Sequence, residues 1–468
     1  MSLVVANGKV VTPEGARILD VVAEGEKIAA LMPAGTAAAA YPGAEVIDAT
    51  GLIVIPAGVD PHVHLLVGFM GQRSVYDFGS GGIAALRGGT TAIVDFALQR
   101  CGNSMLKGLA HRRRQAEANV TLDYGLHLIV TDVGPETLKE LPELRAQGVT
   151  TLKVYTVYEE DGLKLEDGQL YALMEEAAKH DLSIVLHAEN AGIVERLRAE
   201  AVASGHTAPR WHALTRPPVV EIEAISRAIA FCRATGCGVH ILHLAAADAI
   251  ALVEDARAEG LPVTAETCTH YLALTDEALE RDNGHEYILS PPLRDAANQE
   301  RLWRGLVRDG LQLVASDEVS YSAEAKAMGL PSFATVANGI TGIEARLPLL
   351  YTLGVDQGRI GLSRFVELFS TAPARIFGFA DKGCIAPGYD ADLAIIDPQT
   401  RRVMSPESDY GDIGYNSYTG MELTGFATHT IYRGKVVVRH GEFLGSEGQG
   451  RFIARISPDR FLPEEGRK

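Results

Sequence analysis

The chain has 468 residues, 47% of them hydrophobic and 22% charged, with 60 acidic against 43 basic side chains and a formal net charge of -17. This composition excludes an intrinsically disordered chain, and because a single core stops growing at about 250–300 residues, it predicts one large domain and a smaller one. The negative balance works against nucleic acid and anionic membranes as partners, and no apolar run is long enough to span a bilayer.

Residues 1–51 carry short strand-like runs broken by turn signals such as "ANGK" and "AEGEK". The opening "MSLVVANGKVV" has neither the basic region nor the long apolar region of a signal peptide, so a cytoplasmic protein is expected. Eight strand candidates follow: "LIVIPAGVD" (52–60), "TTAIVDFAL" (90–98), "TLDYGLHLIV" (121–130), "TTLKVYTVY" (150–158), "LSIVLHAE" (182–189), "GVHILHLA" (238–245), "PVTAETCTHY" (262–271) and "LQLVASD" (311–317). Between them, stretches such as "LEDGQLYALMEEAAKH" and "AADAIALVEDARAEG" space their apolar residues as helices do. Strand then helix, repeated eight times, predicts an α/β fold, a (β/α)8 TIM barrel over 52–378.

Past residue 379 the short-strand style resumes with "DADLAIID" and "HTIYRGKVVVRHGEF". One terminus alone offers too few strands to bury a face, so residues 1–51 and 379–444 are expected to form one small β-sandwich domain. Residues 445–468 are polar and rich in Gly and Pro, and read as a loose tail or as an oligomerisation arm docking on a neighbouring subunit. "HRRR" at 111–114 reads as a solvated helix face. The five cysteines, Cys101, Cys232, Cys237, Cys268 and Cys384, are odd in number and lack metal-type spacing, which predicts reduced thiols.

In such a barrel the C-terminal ends of the strands carry function. The first strand ends in "VDPHVHL", where His62 and His64, two apart on extended chain, point the same way and suit one metal ion. The fourth carries Lys153 inside an apolar run, where an isolated ammonium is costly. Such a lysine snorkels to the mouth, pairs with an acid, or gives up its proton and adds carbon dioxide to become a carbamate able to bridge two cations. Facing His62 and His64 across the barrel, Lys153 favours the carbamate. The fifth strand ends with His187 in "VLHAEN". The sixth offers His240 and His243 on opposite faces; His243 is nearer the rim, and His240 is expected to pack against a helix. The eighth puts Asp317 at the rim in "VASDE". Four histidines and an aspartate at the same end of four strands predict a metal centre.

From "PAGVDPHVHL" to "KGCIAPGYDADLAIIDP", most of its length, the chain resembles the cyclic amidohydrolases, in particular the D-hydantoinase and dihydropyrimidinase group. The resemblance implies a metal-dependent hydrolase that opens the ring amide of a cyclic imide or ureide, a dihydropyrimidine or a 5-substituted hydantoin, to an N-carbamoyl amino acid. It implies two divalent metal ions, zinc first among them, bridged by N6-carboxylated Lys153. By that resemblance His62 and His64 bind the more buried ion and His187 and His243 the more exposed one, while Asp317 is the remaining ligand and the catalytic acid/base. Tyr158 matches a catalytic tyrosine that hydrogen-bonds the substrate carbonyl, and Ser290 in "ILSPPLRD" and Asn338 in "ANGITGIEARLPLLY" match positions whose backbone groups hold the cyclic amide. Taken without the resemblance, Tyr158 is a rim aromatic, Ser290 a turn residue and Asn338 a helix N-cap. A homotetramer or homodimer is implied as well.

Leu66 stands two residues after His64, where dihydroorotases place an arginine for the ring carboxylate, which speaks against an anionic ring substrate. An allantoinase-like or other cyclic amidohydrolase is the second reading. A non-catalytic scaffold like the collapsin-response mediator proteins is the third, disfavoured because every ligand position is kept. Two departures from the hydantoinase pattern stand out. Glu318 follows Asp317 where the group usually carries histidine, and is expected to raise the pKa of Asp317 or to alter the outer pocket. The loop "LLVGFMGQRSVYDFG" is apolar, and Leu65, Phe69 and Met70, with Phe96 and Leu98 from the second strand, are expected to line a pocket for an apolar ring substituent.

Overall fold

A computed structural model describes residues 2–456. Eight parallel strands follow one another in chain order around a nearly closed barrel: Gly58–Asp60, Thr90–Leu98, Asp123–Ile129, Thr151–Tyr155, Ser183–His187, Val239–Ile241, Val263–Cys268 and Leu313–Ala315. Parallel neighbours need crossovers, and helices such as Phe78–Arg87, Asp167–Lys179 and Val219–Thr235 supply them. Both sheet faces are therefore covered, and Asp123–Ile129 and Thr151–Tyr155 are buried at every residue. The helices start where side chains satisfy their free amides. Before Phe78–Arg87, Ser80 N donates to Asp77 Oδ1 at 2.8 Å and Asp77 N donates to Ser80 Oγ at 3.0 Å.

Between the first and eighth strands, side chains take over from the backbone ladder. Fully buried Arg346 donates from Nη1 to the carbonyls of Val59 and Val314, both at 3.1 Å. Gly58 makes that guanidinium possible, because a Cβ there would lie 2.6 Å from Arg346 Nη2 and 2.5 Å from the Phe369 ring.

The expected first strand, 52–60, divides in two. Ile53–Pro56 joins a nine-stranded sheet, parallel to Ser2–Thr12 on one side and antiparallel to Leu393–Ile396 on the other, and the barrel begins only at Gly58. Pro56 has no N–H to continue a ladder, and the next two amides part company: Ala57 N donates to Asp392 O and Gly58 N to Gly89 O. The run is apolar in both settings, so its pattern does not reveal the change of partner. The sheet draws strands from both chain ends and buries Val5, Val21, Ile28, Val54, Leu393 and Ile431 in one core. Ions tie it to the barrel: Lys382 Nζ lies 2.8, 3.0 and 2.6 Å from Asp123, Asp390 and Asp392.

Two expectations about polar segments differ from the structure. Within 445–456 the chain is not loose but packs on its own barrel. Tyr124 N donates to Arg451 O at 2.9 Å, Ile453 N to Tyr124 O at 2.8 Å, and buried Arg455 reaches Leu126 O and Thr151 Oγ1 beneath the barrel. This strap docks through backbone amides, the Arg455 guanidinium and the Phe452 ring, 5.5 Å from that of Tyr124. The rest of the expected arm, 457–468, lies outside the described residues. In "HRRR", Arg112 is buried rather than solvated, with Nε 2.6 Å from Asp95 Oδ1 and Nη2 donating to Leu65 O. Arg113 lies over the Phe452 ring of the strap, and the other two residues are exposed. All five cysteines are free thiols.

Candidate metal and substrate site

The residues expected at the strand ends converge at one mouth of the barrel. His62 Nε2 is 3.0 Å and His64 Nε2 3.5 Å from Asp317 Oδ1, and the two Nε2 atoms face each other at 3.3 Å. His243 joins them, its ring centroid 5.3 Å from that of His62 and 4.5 Å from that of His187. Ligand atoms of His62, His243 and Asp317 all fall within 4.8 Å of one another. Two features fit these residues to metal ions. Imidazole nitrogens that turn toward each other and toward a carboxylate suit a shared cation, and His243 Nδ1 is buried with no hydrogen-bond partner.

Lys153 is 1% exposed and lines the cavity, and no carboxylate lies within ion-pair distance of it among the described residues. Its nearest ring contacts are Tyr155 and Phe96, with Nζ 4.3 and 5.3 Å from the centroids. Burial pushes its pKa down to about 7, against the pull of Asp317 and Glu266. Asp317 is pushed the other way, up to about 6, again by burial first, with His62 and Lys153 opposing.

Backbone strain accompanies this convergence. Tyr158, His243 and Asp317 have φ of 66°, 36° and 49°, in the left-handed region that non-glycine residues rarely occupy. For His243 the consequence is direct. The sixth strand ends at Ile241, so the alternation that would put His240 and His243 on opposite faces no longer applies. His240 also turns inward, with Nε2 3.1 Å from Glu266 Oε2 and Nδ1 2.7 Å from Thr264 Oγ1. It also meets a helix, its ring 5.1 Å from that of Phe377 at the end of Ala372–Phe377.

A set of supporting residues, absent from the sequence reading, orients the histidines. Glu266, on the seventh strand, accepts from His62 Nδ1 at 2.5 Å, which leaves His62 Nε2 to face Asp317. Glu189 lies 2.8 Å from His187 Nε2 and 2.7 Å from Arg216 Nη1, and Arg216 and His187 hold its pKa down at about 2 in spite of burial. His187 Nδ1 is thereby the free nitrogen. Glu189 stands two residues beyond His187, and Glu266 is a charge inside the apolar run "VTAETC"; both signals were open to sequence reasoning. Phe96 stacks under His64 with centroids 4.4 Å apart, and Asp95 Oδ2 accepts from Leu65 N at 2.8 Å.

Above these groups opens a cavity of about 550 Å³ lined by Phe69, Met70, Leu98, Ile129, Leu163, Val319 and Tyr321 as well as by His64, Lys153, Tyr158, Ser290, Asp317 and Asn338. Two expected pocket residues are not among its walls. Leu65 is fully buried and packs against Gly81, where a Cβ would meet it at 2.5 Å, while Phe96 supports histidine rings instead. Glu318 also differs from expectation. It turns away from the cavity, accepts from Gly342 N at 2.7 Å and Ile343 N at 2.9 Å, and bonds Ser320 Oγ. Burial raises its pKa to about 7, and the charges that act on Asp317 are His62, Lys153, Glu266 and Asp60.

Tyr158 lines the same cavity as Ser290 and Asn338, whose side chains bond each other at 3.0 Å. His212 lies behind Ser290, its Nε2 2.7 Å from Leu289 O. Burial raises the Tyr158 pKa, so the phenol keeps its proton.

Residues 53–437 match the Amidohydrolase family. A D-hydantoinase of Geobacillus stearothermophilus is 40% identical over 428 residues, 90% of this chain and 91% of that one. A D-hydantoinase of Streptomyces coelicolor is 40% identical over 459 residues, covering 97% and 98%. The crystal structure of a dihydropyrimidinase from Brevibacillus agri superposes with a TM-score of 0.95 at 37% identity, covering 99% of this chain and all of that one.

Proposed function

The chain belongs to the amidohydrolase family, in its hydantoinase and dihydropyrimidinase group, and on that premise we propose that it opens the ring amide of a dihydropyrimidine or 5-substituted hydantoin to an N-carbamoyl amino acid. The observation that carries this reading is the meeting of His62, His243 and Asp317 beside a buried lysine without an acid, at the base of a cavity of about 550 Å³.

Two divalent cations, zinc in this reading, held by His62, His64, His187, His243, Asp317 and a carbamate on Lys153, would polarise the ring carbonyl and make a water nucleophilic at neutral pH. The carbamate forms when the neutral Lys153 amine adds carbon dioxide and releases a proton, and a pKa near 7 makes that neutral amine available. Asp317 accepts the proton of the attacking water, which its own pKa of about 6 permits, and delivers it to the ring nitrogen as the C–N bond breaks. The Tyr158 hydroxyl donates to the carbonyl oxygen as charge gathers there. The backbone groups of Ser290 and Asn338 hold the ring, and Phe69, Met70 and Leu98 face an apolar ring substituent. A cytoplasmic homodimer or homotetramer with no nucleic-acid or membrane partner completes the reading; among the described residues no helix is long and apolar enough to cross a membrane.

The test is hydrolysis of dihydrouracil, hydantoin, an aryl hydantoin, allantoin and dihydroorotate by zinc-loaded protein, with Asp317→Asn as control. Turnover of dihydrouracil or a hydantoin, lost in the control with much of the metal retained, is the expected result. Turnover of allantoin or dihydroorotate alone would replace the reading, and silence from protein holding two metals per chain would end it.

A further inference from the structure

Asn338 is carried on a loop that leaves the barrel at Val319 and returns at Ile340, where Val319 N donates to Ile340 O at 3.1 Å. Midway along it the helix Ala323–Ala327 holds Lys326, whose side chain is fully buried. Its Nζ donates to Ile288 O at 2.7 Å and to Gly339 O at 2.5 Å. One acceptor lies two residues before Ser290 and the other one residue after Asn338. A third bond joins the same two segments, from Gly339 N to Ile288 O at 3.1 Å. No carboxylate pairs with Lys326 among the described residues, and Lys326 is not part of the cavity wall. Its hydrogen bonds go to the backbone of the two segments that grip substrate.

Burial pushes the Lys326 pKa down to about 7, with Glu286 pulling it back. A neutral amine has two N–H groups, and two carbonyls accept them here. A methionine would fill the same channel with no polar group to desolvate, so the amine earns its place through those two bonds.

We propose that Lys326 is a positioning residue for the substrate: by joining the carbonyls beside Ser290 and Asn338 it sets the spacing of the two backbone segments that hold the cyclic amide, and it takes no part in bond cleavage. The inference rests on the cyclic-amide reading of Ser290 and Asn338 above.

The test compares Lys326→Met, Lys326→Gln and Lys326→Arg with the parent protein for dihydrouracil and hydantoin turnover, bound metal and thermal unfolding. In Lys326→Met, KM is expected to rise about tenfold or more while kcat stays within about threefold and both metals remain. Lys326→Arg, which keeps donors, recovers part of the loss. An unchanged KM in a folded Met variant overturns the proposal, as does an equal fall in kcat with loss of metal, since either makes Lys326 an ordinary core group. Where the Met variant fails to fold, the Gln variant, which keeps an amide NH2 on a shorter side chain, decides by the same KM against kcat split. A parent protein that hydrolyses neither compound defeats the functional reading and this inference together, whereas turnover with an unchanged KM in the variants defeats the inference alone.

Discussion

Lys382 and Lys153 are both buried, and their surroundings are opposite. Lys382, at the seam between the terminal sheet and the barrel, lies within 3.0 Å of Asp123, Asp390 and Asp392, and against the effect of burial those carboxylates raise its pKa. Lys153, at the barrel mouth, has histidines and aromatic rings around it, and burial drives its pKa down to about 7. The acidic trio at the seam is as tightly gathered as His62, His243 and Asp317 at the mouth. Its charges are already met by Lys382 and by Arg433, 2.6 Å from Asp123, so nearness of ligand atoms does not by itself make a metal site. The seam is satisfied by its own side chains, while the mouth combines strained backbone, a lone histidine nitrogen and an unpaired amine, the marks of a place made for ions to enter.

The comparison is broken most severely by exchanging the roles of the two lysines. Lys153→Met is expected to lower hydrolysis by about a thousandfold or more and to reduce bound metal per chain, with little loss of fold stability. Elemental analysis beside steady-state rates checks this. Lys382→Met leaves buried Asp392 without a cation, while Arg433 stays on Asp123 and Lys27 on Asp390, and is expected to cost about 3–5 kcal/mol in denaturant unfolding, with kcat of the folded protein unchanged. If the seam variant loses activity but not stability, the contrast fails.

A smaller effect concerns buried histidines away from the metal ligands. Burial holds His212 and His270 at pKa values of about 3, against about 6.5 in an unfolded chain. Folded protein therefore keeps them neutral while unfolded chain takes up protons, so their contribution is complete above pH 6.5 and lost as pH falls toward 3. The midpoint of thermal unfolding should decline from pH 6.5 to 5, and His270→Leu should flatten the decline by about one proton. A flat profile would contradict the burial argument. The smallest expected change is in selectivity: Phe69→Asp should lower kcat/KM for an aryl hydantoin relative to dihydrouracil by about tenfold, and an unchanged ratio would remove Phe69 from the substituent pocket.

The barrel was legible because its strands are apolar runs with few charges, and the ligands were legible because polar residues stand at the ends of those runs. Ile53–Pro56 escaped notice since an apolar strand reads alike in either sheet. Glu266 is an anomaly of the same kind as Lys153, a charge in mid-strand, and the same question asked of it would have led to His62. Arg112 and Arg455 were beyond reach of local pattern. Their partners, Asp95 and Thr151, are 17 and 304 residues away, and a polar stretch looks identical whether solvated or folded inward. Glu318 misled because adjacency in sequence does not give direction; its carboxylate is spent on the amides of Gly342 and Ile343.

The central claim is that Lys153 works as a carbamate joining two cations, and carbon-13 NMR tests it directly. Metal-free protein reconstituted with zinc in 13C-labelled bicarbonate should show a carbamate carbon signal, about one per chain, absent from Lys153→Met and accompanied by two metals per chain. Two bound metals and full activity without that signal would contradict the account.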